Sequence, residues 1–131
     1  MWKDYLTKSK SNLAAAEGDL QVRANDPCVS RAYYAVFQAT IAVLSGQTDF
    51  GKRGRFWDHG HIASEFARRL IHRRKVFARN LASTLDDLRS RRHQADYDLQ
   101  FISQKLAERS MNRARQFVQA ISDELQQIED A

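Results

Sequence analysis

Ser30-Arg31-Ala32-Tyr33-Tyr34-Ala35-Val36-Phe37-Gln38-Ala39-Thr40-Ile41-Ala42-Val43-Leu44 is the stretch on which the reading of the fold turns. With Val29 just before it, positions Ala32, Tyr33, Val36, Phe37, Thr40, Val43 and Leu44 recur at steps of three and four, which places them on one broad helical face. Gln38 and Thr40 interrupt the run from Ala32 to Leu44, and it is too short to cross a bilayer.

Working outward, Asn25-Asp26-Pro27 reads as a break and a restart, because Asp caps helix N-termini and Pro fits the first helical position. Before it, Trp2, Leu6, Ser9, Leu13, Ala16 and Leu20 share a stripe, so a first helix is expected over about 3–24. After it, Gly46 supplies a stop for the second helix, and Gly46 to Trp57 reads as a mobile loop. Asp58 then caps a third helix with Ile62, Phe66, Leu70 and Ile71 as its buried side, running to about His72. The stripe of a fourth helix is Phe77, Leu81, Leu85, Leu88, Arg92 and Ala95, a register that carries Arg92 onto the inward face. A fifth starts after Ser103 with Leu106, Ala114, Phe117, Val118, Ile121, Leu125 and Ile128. No segment alternates convincingly as a strand. The expected fold class is all-α, a single up-and-down bundle of about five helices forming one domain over residues 1–131.

Composition agrees with that reading. A content of 43% hydrophobic and 28% charged residues excludes a disordered tail, and five Gly with one Pro argue against a turn-rich barrel or sandwich. The N-terminal residues lack the apolar core of a signal peptide, so a cytoplasmic address is expected, with no membrane span. The single cysteine, Cys28, is expected to be a small buried side chain. His59, His61 and His72 form no metal-ligand pattern with the cysteine or with one another, so no metal and no other cofactor is expected. Charge is uneven: Lys52 to His93 holds 12 Lys/Arg against 4 Asp/Glu, or +8, within a chain whose net charge is +5. Ten of those cations are arginines, which suit bidentate phosphate contact, so a polyanion such as RNA or a nucleotide is one reading. The other is a solvated face paired with acidic neighbours.

Chemistry concentrates in Arg89-Ser90-Arg91-Arg92-His93-Gln94-Ala95-Asp96-Tyr97-Asp98, late in the fourth helix. Residues four apart share a face, so Arg89 meets His93, Arg92 meets Asp96, and His93 meets Tyr97. An Arg92–Asp96 pair would hold the arginine fork and leave His93 for proton transfer or phosphate contact.

These two segments resemble a known family. Arg31-Ala32-Tyr33-Tyr34-Ala35-Val36-Phe37 is similar to the Arg-Ala-Tyr-Tyr-Ala-x-Phe signature of one branch of the HEPN domains, and Arg92-x-x-Ala95-Asp96-Tyr97 to its Arg-x-x-Ala-Asp-Tyr signature. His61 stands where that branch often has a His opening its third helix. The resemblance implies a small helical domain that forms a symmetric homodimer and is often encoded beside a small nucleotidyltransferase. Many relatives are toxins that cleave RNA without a metal, through an Arg, four to six intervening residues and a His. This chain departs from that pattern: Tyr97 stands where the His would fall, and Arg89 and His93 have only three residues between them. Arg53 to His59 and Arg55 to His61 fit the spacing, but among 15 arginines and 4 histidines such pairs arise by chance.

Arg89, Arg92 and His93 are therefore the candidate catalytic residues, with Arg31, Tyr34, His61, Asp96 and Tyr97 as candidate binding residues. For Arg92, Asp96 and Tyr97 three roles stay open: a buried structural network, catalysis, and noncatalytic phosphate binding. Two functions stay open with them. One is an RNA-associated protein, either a ribonuclease or a degenerate relative that binds RNA or nucleotide. The alternative is a noncatalytic interaction module that grips a nucleotidyltransferase.

Overall fold

The computed structural model describes residues 1–51 and 57–130, and contains five α-helices and, among those residues, no strand. They are α1 (Trp2–Gln21), α2 (Asn25–Gln47), α3 (His59–Phe66), α4 (Asn80–Tyr97) and α5 (Gln104–Asp130). α3 runs on without a break into a π-helical segment, Ala67–Arg73. No helix among the described residues is long and apolar enough to cross a membrane.

α2 is the axis, and all four other helices pack against it. It buries residues on every side, from Cys28 and Val29 to Val43 and Leu44. The Ser9 hydroxyl of α1 is buried against it and donates 2.6 Å to the Ala35 carbonyl. α1 stops before its expected end because the chain closes a Schellman turn: the amides of Arg23 and Ala24 donate to the carbonyls of Leu20 and Asp19. Arg23 takes the left-handed position of that turn, φ 58°, where glycine is the usual occupant.

Asp26 does not cap α2, which begins at Asn25 without a side-chain cap. Its carboxylate accepts 2.8 Å from the Ile102 amide, and Asn25 donates to the Ile102 carbonyl, so the start of α2 pins the α4–α5 connection. Nor does Gly46 stop the helix. A Cβ there would lie 3.0 Å from Leu125 and 3.2 Å from the Trp2 ring, so glycine lets α1, α2 and α5 approach. The helix ends where the Thr48 hydroxyl donates to the Leu44 carbonyl.

Asp58 caps α3 as expected, its carboxylate accepting 2.9 Å from the His61 amide. The expected α-helix to His72 is overturned beyond Phe66 by the π turns, which bring both Leu70 and Ile71 into the core. α4 starts later than its stripe predicted, leaving Phe77 in the connection, where its ring lies 5.7 Å from Phe66. Ser103 caps α5, and Met111, Ala114, Phe117, Val118, Ile121 and Leu125 complete the core.

Candidate functional site

Arg92 lies one turn beyond Leu88 on α4, at the height where the core stripe would place another apolar side chain. There it meets α2. Its guanidinium sits 5.6 Å from the centre of the Tyr33 ring and 5.8 Å from that of Tyr34, within cation–π range of both. It also pairs with Asp96 at 3.3 Å, the predicted i,i+4 contact. Burial disfavours its charge, but Tyr34, Asp96, Tyr97 and Tyr33 outweigh that and keep it protonated. Its Nε is buried and has no acceptor among the described residues. The fork is held, and part of its donor capacity is unused.

Behind Arg92 lies a histidine that the sequence reading did not select. His59, the first residue of α3, stacks face to face on Phe37, with ring centres 4.0 Å apart. Its Nδ1 shares a short hydrogen bond with the Tyr33 hydroxyl. Burial, then the charges of Arg89 and Arg92, hold the His59 pKa below its ordinary value, with Asp58 opposing. Burial also pushes the Tyr33 phenol up to about 12, although both arginines pull the other way. Near neutral pH the two form a neutral imidazole–phenol pair beside two guanidiniums. In one tautomer Tyr33 donates to Nδ1 and the ring's Nε2–H is a donor; in the other Nδ1–H donates to Tyr33 and Nε2 is a base.

Arg89 brings the second cation. One of its Nη atoms lies 3.7 Å from where a Cβ on Gly60 would stand, so the first turn of α3 leaves it room. Asp58 answers this charge, and its carboxyl is held below the usual range chiefly by the His61 amide, with Arg89 adding to it. Asp86, Arg89, Ser90, Arg92 and His93 line a surface groove of about 510 Å³. His93 is exposed, and its ring lies 4.8 Å from that of Tyr97, itself 66% exposed. The groove therefore offers two guanidiniums, a solvent-facing imidazole and the Ser90 hydroxyl, together with the Asp86 carboxylate.

The structure thus gathers Arg89, Arg92, His93, Asp96 and Tyr97 on α4 with Tyr34 on α2. It seats two other candidates elsewhere. Arg31 is exposed and pairs with Asp19 of α1 at 3.5 Å. The His61 ring lies 5.3 Å from Phe50, away from the Arg92 contacts, and its Nε2 is buried without a hydrogen-bond partner. Arg53 and Arg55 lie outside the described residues, so neither spacing pair is placed. His59 left two traces in the sequence, its position directly after the capping Asp58 and its spacing from Arg53; its neighbours Tyr33 and Phe37 come from a different helix.

No group of three His, Cys, Asp or Glu among the described residues is arranged to hold a metal ion. Cys28 is buried, and burial, with Asp19 and Glu17, pushes its thiol up to about 11, which leaves it a packing residue and not a nucleophile. No curated protein matches the chain. The sequence pattern of the HEPN domain family matches residues 2–125.

Proposed function

The chain belongs to the HEPN domain family, and from that premise we propose that it is a cytoplasmic RNA-associated module whose α4 groove binds the phosphate backbone. The observation that carries the reading is Arg92, held over Tyr33 and Tyr34 with Arg89 beside it and a neutral His59–Tyr33 pair behind. Two guanidiniums at one groove suit a phosphodiester, which has two unesterified oxygens to share between them. The same groups suit RNA cleavage. An imidazole, from His59 or the exposed His93, takes the ribose 2′-hydroxyl proton as the 2′-oxygen attacks phosphorus. The phosphorus–5′-oxygen bond breaks as the 2′-oxygen–phosphorus bond forms, the 5′-oxygen takes its proton from water, and the arginines stabilise the negative charge that builds on the non-bridging phosphoryl oxygens.

Self-association belongs to this reading. Tyr97, Leu99 and Phe101 are 66%, 99% and 87% exposed, three large apolar side chains within five residues just past the groove. A homodimer across this stretch would set two grooves near one another. The same patch favours a second reading, an interaction module that docks a partner such as a small nucleotidyltransferase with the arginine cluster serving only as structure.

The test is binding of a labelled 20-nucleotide single-stranded RNA across a salt series. The wild type is expected to bind at low salt with a steep salt dependence. Arg89→Gln and Arg92→Gln should each flatten the slope by about 0.7, the value for one lost phosphate contact on a single strand. His59→Gln and His93→Gln should keep binding, and the one that serves as base should abolish strand scission. A wild type that leaves RNA unbound at low salt would rule the reading out and leave the interaction module.

A further inference from the structure

A second group of cations lies at the opposite end of the α3 rod. From His59 to Arg73 that rod extends roughly 20 Å, and it ends in Arg73, Arg74 and Lys75, with Arg79 a few residues on. The nearby carboxylates are already engaged. Glu65 accepts from both Arg68 and Arg69 at 2.7 Å, and Asp49 accepts from Arg69 at 2.5 Å. Among the described residues no carboxylate pairs with Arg73, Arg74, Lys75 or Arg79.

These cations stand on a fixed corner. The chain reverses at Lys75, whose φ of 54° is left-handed, and the amides of Val76 and Phe77 both donate to the Leu70 carbonyl, tying the reversal to the core. Arg74 donates 2.8 Å to the Gln47 carbonyl, which lays its fork against the end of α2. Between the two elements runs a groove of about 590 Å³ lined by Gln47, Thr48, Asp49, Arg69, Arg73 and Arg74. A second groove, of about 300 Å³, carries His72, Lys75 and Arg79. A helix end attracts cations to its carbonyls, but that accounts for one or two of them. π turns also recur where a helix serves a site, because their extra residue re-aims the side chains that follow.

We propose that this π-turn corner is a second RNA contact, a phosphate-tracking surface that holds the strand roughly 20 Å from the α4 groove. It rests on the RNA reading above. Cations spread over two grooves suit a strand carrying several phosphates better than a single anion. Asp49 opposes the strand: its hydrogen bond from Arg69 holds its carboxyl below the usual range, so it stays ionised and occupies part of a guanidinium that would otherwise face phosphate.

The experiment is a salt series with the same labelled 20-nucleotide RNA on Arg73→Gln/Lys75→Gln, on Asp49→Asn and on Arg89→Gln/Arg92→Gln. Among the described residues the Arg73 and Lys75 side chains make no hydrogen bond or ion pair, and a thermal melt checks that the double variant is folded. Its slope is expected to flatten by about 1.4, with affinity at low salt reduced roughly tenfold. Asp49→Asn should tighten binding roughly threefold by removing one repulsive charge and loosening the hold on the Arg69 Nη1, whose Nε stays on Glu65, a gain that a purely structural role would not produce. An unchanged slope in Arg73→Gln/Lys75→Gln, with binding lost in Arg89→Gln/Arg92→Gln, overturns the corner and leaves the groove standing. The reverse pattern upholds the corner and overturns the groove. A wild type that ignores RNA overturns both, as does one that binds only vesicles of anionic phospholipid.

Discussion

α2 and α4 lie against each other and are built from opposite materials. α2 buries 13 of its 23 residues, whereas α4 buries 5 of 18 and gives most of its surface to charge. A helix apolar on all sides has to sit at the centre, since water cannot be allowed any of its faces. A mostly polar helix is held by a narrow stripe, and where that stripe ends the contact must be made by something else. Here it is made by Arg92 on two tyrosine rings. The lesson is that the site forms at the seam, where the buried helix shows aromatic faces and the polar helix supplies the cation.

The contrast can be broken most directly by removing core volume. Leu44→Ala, at a fully buried position of α2, is expected to cost roughly 2–5 kcal/mol in urea unfolding at neutral pH. Ser90→Ala, exposed on α4, should stay within about 0.5 kcal/mol. Equal losses at the two positions would remove the basis for treating the helices as different.

A smaller effect sharpens the seam itself. His59 is held below its ordinary 6.5 in the folded protein, first by burial and then by Arg89 and Arg92. Below that pH the unfolded chain takes a proton that the folded chain refuses. The stability His59 contributes is thus full above about 6.5 and is lost as pH falls toward its lowered folded value. The wild-type melting temperature should therefore drop between pH 7 and pH 5, and His59→Gln should lose that slope. Asp49, Asp58 and Glu65, all held below the usual carboxylate range by their hydrogen bonds, act in a lower, separate window that both proteins share.

A last effect lies outside both helices. Arg23→Gly relieves the left-handed position that closes α1 and should raise stability by about 1 kcal/mol without touching RNA binding. A change in RNA affinity there would extend the functional surface beyond the seam and the π-turn corner.

Much of this was legible in the order of residues. Five helices, the caps at Asp58 and Ser103 and the inward register of Arg92 each rest on spacing within a few turns, and the Arg92–Asp96 pair is an i,i+4 relation that a helix imposes on any such residues. Gly46 and Asp26 misled because each has two physical uses. Glycine ends helices and also permits close approach, and aspartate caps its own helix or holds a neighbouring segment; only the neighbours choose. The π turns carry no separate periodic mark, since Leu70 and Ile71 fit either kind of helix.

The sequence by itself determined the helical class, the broad apolar face of α2 and the cation at the end of the α4 stripe, because local periodicity fixes those without reference to partners. The tertiary structure decided that His59 joins Tyr33 and Phe37, that Arg31 turns away to Asp19, and that His61 faces Phe50. The reason is distance along the chain. His59 is 26 residues from Tyr33, and no rule of spacing reaches across a separate helix and a connection; packing α3 on α2 puts one imidazole on the rings and sends another away from them.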